Sequence, residues 1–522
     1  MTQPAVPQHS FPFLSDHAEV QRVRYEKAAE LRAKGINPYP AFFEITHLAK
    51  TILDTPEDYL EKPDQVVSLM GRVMSIRRFG KGGFFPLQDR TGQIQVYISM
   101  KDISEQDFEV YKSYLDIGDI VGVVGTVFKT QTGEVTVQAS QFRILTKTTR
   151  PLPEKWHGLT DIETRYRQRY TDLIMNREVM ETFKQRSQIL TSMRHFLSSK
   201  DFLEVETPMM QPLYGGANAR PFTTHHNALG LDLYLRIAPE LYLKRLVVGG
   251  MHRVYEINRN FRNEGISVHH NPEFTMLELY CAGWNCSLMM DFVEELMSET
   301  LRLATGSTII QLGEKTYDLA ARPWARITIL DALKKYAGLD LNWSMDLATV
   351  KSLSKGFHLP DSITTGLDAI IYLFEEECEK FLVEPTFITE FPKAISPLAK
   401  EKDENPEITD RFELYIKTME LANGFSELND PLEQFARLAE QVERRKGGDM
   451  EAVGIIDEDF VRSLEFGLPP TAGLGVGIDR FVMVATNSSS IRDVILFPLM
   501  KPRKEAGDHS ESEAGSEAKG EE

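Results

Sequence analysis

The sequence has few of the residues that mark several classes of protein. Its 522 residues include only three cysteines, Cys281, Cys286 and Cys378, which fit neither a disulfide framework nor a C-x-x-C zinc pattern. We therefore expect reduced thiols and a cytoplasmic location. No run of about 18 apolar residues is present, which predicts a protein without a transmembrane helix and without a membrane partner. The N-terminus also lacks the regions of a secretory signal.

Basic charge and nucleotide-binding motifs are also scarce. The chain has 59 lysines and arginines against 77 aspartates and glutamates, a net charge of −18. This argues against a general nucleic-acid coat protein, so any nucleic-acid contact must come from local basic patches. Residues 504–522 are rich in acids and predict a disordered tail. Neither a G-x-G-x-x-G after a strand nor a P-loop sequence occurs, so Rossmann and P-loop sites are not supported.

The remaining sequence predicts two folded domains. Residues 1–65 read as an N-terminal helical extension. Five strand-like runs and one helix-like segment over 66–146 predict an OB-type barrel. Such barrels often bind single-stranded nucleic acid, and a barrel that serves only for packing is the alternative. Residues 147–170 read as a linker. A large α/β region follows over 171–503, with a mostly helical insertion at about 300–385.

The first cluster of chemically useful residues lies at 254–280. We interpret it as two strands joined by a loop near 263–272. Alternation places Leu277 and Leu279 on an apolar face. The opposite face carries a cation, an acid and two aromatic rings, from Arg262, Phe274, Glu278 and Tyr280. Such a face can clamp phosphate through arginine and stack a flat ring on phenylalanine. A solvent-facing polar surface is the alternative.

The second cluster lies at 408–430 and contains regularly spaced acids. Glycine, β-branched and aromatic residues favour a hairpin over a helix, and a turn near 416–417 would place Glu413 opposite Glu420. Facing carboxylates repel unless a cation joins them. Carboxylate oxygens suit Mg²⁺, which commonly bridges protein to substrate phosphates. Two exposed acids are the alternative.

The third cluster, at 469–487, is a glycine run before a helix. Gly473, Gly475 and Gly477 allow close approach of the backbone, and Arg480 then begins an apolar helix. This pattern more often marks tight strand–helix packing than a phosphate loop.

Together these stretches resemble the signature motifs of class II aminoacyl-tRNA synthetases. FRNEG followed by HNPEF resembles motif 2, GLGVGIDR resembles motif 3, and FLEVETPMM resembles motif 1, which in the family forms the dimer interface. The preceding barrel narrows the match to the aspartyl, asparaginyl and lysyl subgroup, and ELANGFSELND looks closest to the lysyl-tRNA synthetase family. The resemblance implies an α+β chain. An N-terminal OB-type barrel would be followed by a class II antiparallel-sheet catalytic domain with flanking helices.

The resemblance also implies roles for individual residues. Arg262 would contact the amino-acid carboxylate and the α-phosphate of ATP, and Arg262 and Arg480 would be catalytic. The ATP-binding residues would be Arg262, Glu264, His270, Phe274, Glu413 and Arg480. The lysine-binding residues would be Gly216, Glu240, Glu278, Tyr280, Asn423 and Glu427. Mg²⁺ would be held by Glu413 and Glu420. The anticodon-binding residues of the barrel would be Arg78, Phe84, Gln95 and Glu134, although Phe84 taken alone could equally belong to the barrel core.

The implied function is ATP-dependent ligation of L-lysine to tRNA(Lys) by a homodimer, through a lysyl adenylate, with release of AMP and pyrophosphate. An acidic pocket formed by Glu240, Glu278 and Glu427 favours lysine, because a buried ammonium must be paired. An aspartate site would instead need a cation. The alternatives are lysylation of a protein acceptor, a non-catalytic RNA-binding regulator derived from a synthetase, and aspartyl or asparaginyl specificity.

Overall fold

The computed structural model of the chain describes residues 18–153, 159–446 and 455–502. The acidic tail predicted at 504–522 lies outside the described residues. The chain divides into two compact units, Met1–Gly158 and Leu159–Glu522, and each is described by itself. The division falls within the segment that the sequence predicts as a linker.

The first unit is a β-barrel with short helices. Its strands are β1 Val66–Val73, β2 Arg77–Phe79, β3 Gly82–Gln88, β4 Gln93–Ser99, β5 Ile120–Lys129 and β6 Val135–Thr146. Its helices are α1 Ala18–Ala33, α2 Ala49–Asp54, α3 Glu57–Leu60 and α4 Glu105–Glu109, the last continued by a π-helical turn, Val110–Tyr114. The strand order is β1-β5-β6-β4-β3-β2, and β1 also pairs with β3. Five strands therefore close into a ring, and the prediction of an OB-type barrel is confirmed.

Alternation along β3 and β4 separates the barrel core from its outer face. Phe85, Leu87 and Val96 point inward and are fully buried. Phe84 and Tyr97, one position away, are only partly buried and lie opposite each other in the ladder. Because side chains alternate between the faces of a strand, Phe84 belongs to the outer face and not to the core.

The second unit is built on an eight-stranded sheet. Its helices are α5 Ile162–Arg167, α6 Arg169–Met175, α7 Arg177–Ser199, α8 Glu240–Val248, α9 Cys286–Thr305, α10 Ile329–Ala332, α11 Leu347–Leu353, α12 Gly366–Glu377, α13 Pro431–Lys446, α14 Glu458–Glu465, α15 Ile478–Ala485 and α16 Ile491–Val494. Its strands are β7 Leu203–Glu204, β8 Met210–Gln211, β9 Phe222–His226, β10 Leu231–Leu235, β11 Arg253–Phe261, β12 Glu273–Ala282, β13 Ile309–Leu312, β14 Lys315–Asp318, β15 Ala325–Thr328, β16 Thr386–Thr389, β17 Glu401–Lys402, β18 Asn405–Thr409, β19 Arg411–Ile416, β20 Met419–Ser426 and β21 Thr471–Gly477.

The order of the large sheet is β15-β16-β19-β20-β21-β12-β11-β7. All neighbours pair antiparallel except β15 with β16 and β7 with β11. Leu277 and Leu279 of β12 are fully buried in a core shared with α7, α9 and α15, so their predicted apolar face is confirmed. The alternate residues of β12 point to the other side of the sheet, where Glu278 and Tyr280 line a cavity.

The segment at about 300–385 contains more β-structure than the mostly helical insertion that we expected. The π-helical turn Leu333–Ala337 and the 3₁₀ turn Glu379–Phe381 do accompany three helices, α10 to α12. However, β13 and β14 form a two-stranded sheet, and β15 extends the large sheet beside β16. The β-branched residues of these short runs fit a pleated, half-buried surface better than a helix.

The hairpin of β19 and β20 differs in register from the prediction. Its two turn residues are Lys417 and Thr418, both with positive φ, as a tight two-residue turn requires. This turn lies one residue later than predicted and places Tyr415 opposite Glu420, and a register shift between Leu414 and Tyr415 then places Glu413 opposite Asn423. The prediction that Glu413 faces Glu420 directly is therefore wrong. A bulge adds one residue to a strand, and alternation alone does not reveal it.

Candidate active site

One cavity of about 420 Å³ lies on the polar side of the large sheet, a size usual for a small-molecule site. It is lined from α8, from the loop between β11 and β12, and from β12, β20, β21 and α15. The predicted residues that line it are Gly216, Glu240, Arg262, Glu264, His270, Phe274, Glu278, Tyr280, Glu420, Asn423, Glu427 and Arg480. Glu413 does not line it.

Arg262 follows the last residue of β11 and places a cation at the wall of the cavity. Its guanidinium lies over the ring of Phe274, 5.1 Å from the centroid. Its Nε is buried without a hydrogen-bond partner in the described part of the chain. Burial lowers the pKa of Arg262, and nearby carboxylates, first among them Glu264, oppose this shift. A buried donor without a partner is costly, so this group favours a ligand that accepts hydrogen bonds.

Arg480 and His270 form a second polar group in the cavity. Arg480 Nη2 lies 2.9 Å from His270 Nε2, and Arg480 Nη1 donates to the backbone oxygen of Glu420 at 2.6 Å. His270 Nδ1 lies 2.8 Å from Ser267 Oγ. Burial and the charge of Arg480 lower the pKa of His270. His269 also lines the cavity.

Two glycines make room for the acidic end of the cavity. Gly216 has a φ of +86°, and a Cβ there would lie 2.9 Å from Glu240 Cβ. A Cβ at Gly473 would clash with Glu427 Oε1 and would lie 2.7 Å from the ring of Tyr280. The glycine run of β21 thus fits the packing interpretation, because side chains of neighbouring strands lie across it.

Three buried carboxylates define this acidic end, from Glu240, Glu278 and Glu427. The sequence interpretation missed the cation beside them. Lys244 is fully buried, and its Nζ lies 2.6 Å from Glu240 Oε1 and 2.5 Å from Glu427 Oε2. The four-residue spacing of Glu240 and Lys244 on α8 was an available signal, because such pairs meet on one helix face.

Two acids at this end, Glu278 and Glu427, have raised pKa values. Burial raises the pKa of Glu278 to about 8, and Glu240 adds to the shift, whereas Arg236 and Arg262 oppose it. Burial also raises the pKa of Glu427 to about 8, with Lys244 in opposition and Glu240 in support. Tyr280 donates to Glu278 at 3.3 Å. A cationic ligand would favour the charged form of these groups.

Glu413 lies behind the cavity wall and not in it. Its Oε1 accepts from Arg411 at 2.5 Å, and its Oε2 lies 2.9 Å from the hydroxyl of Tyr415, which also lies 2.7 Å from Glu379. Burial raises the pKa of Glu413 to about 7, and the charge of Glu420 adds to the shift. Arg411 and Tyr415 were not predicted. They sit two residues from Glu413 on the same face of β19, where alternation places them.

The two predicted metal ligands are not part of a larger cluster. Across residues 18–153, 159–446 and 455–502, no group of three or more histidine, cysteine, aspartate or glutamate side chains is arranged to hold a metal ion. In the same residues, no helix is long and apolar enough to cross a membrane.

The four predicted anticodon residues belong to the first unit. The rings of Phe84 and Tyr97 lie 4.9 Å apart, and Gln95 donates to Thr136 at 3.0 Å. Glu134 is exposed beside the turn between β5 and β6. Arg78 is used internally, because its Nη2 donates to the backbone oxygens of Tyr111 and Leu115. A guanidinium carries five N–H donors, so these two hydrogen bonds leave further donors on Arg78 for its predicted role.

The fold and the cavity define a class II synthetase with an attached OB barrel, and comparison with known families agrees. Residues 161–501 match the model of class II tRNA synthetases for D, K and N, and residues 67–145 match the OB-fold nucleic-acid-binding domain of the anticodon-binding type. The chain belongs to this family of class II tRNA synthetases.

The most similar relatives that we compared are called lysine–tRNA ligases. That of Pelotomaculum thermopropionicum is 55% identical over 498 residues, which is 94% of this chain and 96% of the relative. That of Carboxydothermus hydrogenoformans is 53% identical and covers 93% and 98% of the two chains. That of Yersinia enterocolitica is 51% identical and covers 94% and 97%. The resemblance drawn from the sequence motifs is confirmed.

Proposed function

We propose that this chain joins L-lysine to tRNA(Lys) in two steps that consume ATP and release pyrophosphate and AMP. One observation carries the proposal: a single cavity combines cations suited to phosphate with carboxylates suited to ammonium groups. The cations are Arg262 and Arg480, and the carboxylates are those of Glu240, Glu278 and Glu427. The names of the relatives support the same substrates.

In the first step the lysine carboxylate attacks the α-phosphorus of ATP, and pyrophosphate leaves. Arg262 holds the carboxylate and offsets the negative charge that develops on the α-phosphate. Arg480 and His270 bind the outer phosphates, while Phe274 stacks on adenine and Glu264 accepts from its amino group. The protein contributes position and charge, and no side chain needs to act as a nucleophile. The terminal ribose of the tRNA then attacks the lysyl carbonyl, and AMP leaves.

Lysine would be held by paired charges at both of its amino groups. We assign the α-ammonium to Glu240 and the Gly216 carbonyl, and the side-chain ammonium to Glu427 and Tyr280, with Glu278 nearby. Asn423 assists at the carboxylate. Buried carboxylates left without a cation reject substrates that lack the ammonium group, and such sites can discriminate by ~10⁴.

We propose that Mg²⁺ binds beside Glu420, which lines the cavity. Glu413, whose two oxygens contact Arg411 and Tyr415, would have to exchange these partners to join it. Both carboxylates are hard oxygen donors, and Glu420 raises the pKa of Glu413, so a cation beside them would relieve their repulsion. When bound, magnesium neutralises charge on the phosphates of ATP. Glu420, whose side chain is 39% exposed, is the more accessible ligand. We expect Glu420→Gln to need several-fold more Mg²⁺ than the parent in a titration of pyrophosphate exchange.

We propose that the outer face of the barrel reads the uridine-rich lysine anticodon. Phe84 would stack on a base, and Gln95 and Glu134 would hydrogen-bond to base edges. Partly exposed rings on a barrel face provide the flat surface that unpaired bases need. This division of labour separates tRNA selection from adenylate formation.

We further propose a homodimer through the FLEVETPMM segment and action in the cytoplasm. Leu203 and Met210 of this segment are 52% and 57% exposed, and β7 is an edge strand of the large sheet. Exposed apolar groups at a sheet edge favour a protein partner. Light scattering should give twice the chain mass, and Leu203→Asp should shift it toward the monomer. The three buried, unpaired cysteines suit a reducing compartment.

The deciding experiment is amino-acid-dependent ATP–pyrophosphate exchange with Mg²⁺ and without tRNA, run with each of the twenty amino acids. We expect exchange with lysine alone, followed by charging of tRNA(Lys). Exchange with aspartate or asparagine would overturn the substrate. No exchange would favour a non-catalytic regulator, and exchange without tRNA charging would favour a protein acceptor.

A further inference from the structure

Lys244 contacts two carboxylates of the acidic end but does not itself line the cavity. It is fully buried behind the cavity wall, with its Nζ between Glu240 and Glu427. Two aromatic rings enclose the ammonium group, that of Phe425 at 5.5 Å and that of Phe460 at 5.9 Å. A buried ammonium is costly unless it is paired. We therefore attribute the buried position of Lys244 to its charge and not to the volume of its side chain.

Lys244 contacts one carboxylate oxygen of Glu240 and one of Glu427. Glu240 Oε1 and Glu427 Oε2 face Lys244. Glu240 Oε2 lies on the side of Gly216, 3.6 Å from where a Cβ would stand there. Glu427 Oε1 lies against Gly473. Both Glu427 oxygens are buried without a hydrogen-bond partner among the described residues, and Oε2 is paired with Lys244 by charge. In each carboxylate, one oxygen therefore contacts Lys244 and the other is left for a ligand in the cavity.

We propose that Lys244 is a positioning residue for the amino-acid substrate: it holds Glu240 and Glu427 from behind and leaves two net negative charges for a substrate with two ammonium groups. This inference rests on the proposed function and adds a residue to it. When ionised, the three carboxylates together with Lys244 carry two net negative charges, which match the two ammonium groups of lysine. The lysine carboxylate pairs with Arg262. An amino acid with only one ammonium group leaves one buried negative charge of these carboxylates unpaired.

The same arrangement predicts how the site responds to pH. Glu427 is faced by Lys244 and Glu240 from α8 and by Tyr280 from β12. The uncharged rings of Phe425 from β20 and Phe460 from α14 lie against Lys244. Lys244 is the cation that opposes the raised pKa of Glu427. Without it the carboxyl would hold its proton to higher pH, and a protonated carboxyl is a poor partner for an ammonium group.

The test is Lys244→Met, assayed by lysine-dependent pyrophosphate exchange over a range of pH. We expect the KM for lysine to rise about tenfold or more near neutral pH, while the KM for ATP changes little. The acid-side fall of kcat/KM for lysine should move up by about one pH unit or more. A purely structural role would lower kcat/KM at every pH without moving this fall.

Two further variants make the result specific. Lys147 of the barrel is also buried beside two carboxylates, those of Asp116 and Asp119. Lys147→Met therefore removes a matched buried charge from a residue that does not line the cavity, and it should leave the pH profile for lysine unchanged. Lys244→Arg keeps the charge and should keep the acid-side fall in place even if its KM is higher.

The outcomes separate this inference from the proposed function. A parent protein without lysine-dependent exchange would overturn the proposed function itself. Active Lys244→Met with an unmoved pH profile would overturn the role of Lys244 alone. If Lys244→Met does not fold, the arginine variant decides: a profile that stays in place supports charge positioning, and one that moves upward by about one pH unit overturns it.

Discussion

Arg480 Nη2 and His270 Nε2 lie 2.9 Å apart, although 210 residues separate them in the chain. A guanidinium only donates hydrogen bonds, so the imidazole accepts through Nε2 and is neutral. Its proton then belongs on Nδ1, which faces Ser267 Oγ. The contact joins the loop between β11 and β12 to the start of α15. The pair therefore presents one permanent cation and one neutral ring to the cavity.

This relationship predicts the effect of changes at His270. His270→Ala removes the acceptor and should lower kcat/KM for ATP in pyrophosphate exchange by about tenfold, the value of one hydrogen bond to a charged group. His270→Gln keeps an acceptor and should recover part of the loss. The KM for lysine serves as the internal control. A loss that falls equally on ATP and lysine would contradict a role at the phosphates.

The buried guanidinium of Arg262 predicts a larger effect. Arg262→Ala should abolish lysine-dependent pyrophosphate exchange, a loss of about 10³-fold or more, because one group serves both reacting partners. Arg259→Ala is the matched control, three residues earlier and within β11. The Arg259 side chain is 41% exposed and pairs with Glu273 at 3.7 Å, so the exchange rate of this variant should stay near that of the parent.

The raised pKa values of Glu278 and Glu427, both about 8, predict a pH-dependent effect of lysine on stability. A carboxyl with a raised folded pKa stabilises the protein below its unfolded pKa, and this stability is lost as pH rises toward about 8. Bound lysine compensates the charges that then form. Lysine should therefore raise the Tm more at about pH 8.5 than at about pH 6.5.

Thermal shift assays with and without lysine measure this directly. Norleucine, which lacks the side-chain ammonium, is the control ligand and should give little shift at either pH. Glu278→Gln removes one of the two acids and should flatten the dependence on pH. A shift that is constant across the range, or larger at the acid end, would show that lysine does not bind these carboxylates.

The barrel predicts a separation of two activities. Phe84→Ala should leave pyrophosphate exchange intact and reduce tRNA charging, because loss of one base–aromatic stack costs about 1–3 kcal/mol. Phe42, which is 77% exposed and lies outside the barrel strands, provides the matched control, and Phe42→Ala should charge tRNA normally. Equal loss of both activities in Phe84→Ala would contradict the assignment of tRNA reading to this face.

Alternation in the sequence was sufficient to predict the strands that carry the site. Leu277 and Leu279 on one side, with Glu278 and Tyr280 on the other, follow from the two-residue period of a strand. The register of the β19–β20 hairpin did not follow, because it depends on which two residues form the turn and on a bulge between the paired strands, and alternation shows neither.

Lys244 was missed for a different reason. A lysine on a helix normally points to solvent, and only the packed partners of α8 make its burial visible. Glu413 was found, but its partner Arg411 was not, since nothing in the local pattern shows which cation a buried acid will take. Local periodicity thus gives the faces of elements, while the pairing of buried charges depends on contacts between segments distant in sequence.

The close packing of Glu427 and Tyr280 over Gly473 has a consequence for the evolution of this strand. Even one methyl group there would meet Glu427 and Tyr280, so alanine, usually the mildest replacement, is excluded. At Gly92 the nearest atom to an added Cβ would lie 3.9 Å away, and small residues should be accepted. In a library of random variants selected for growth, position 473 should therefore remain invariant, whereas position 92 should drift.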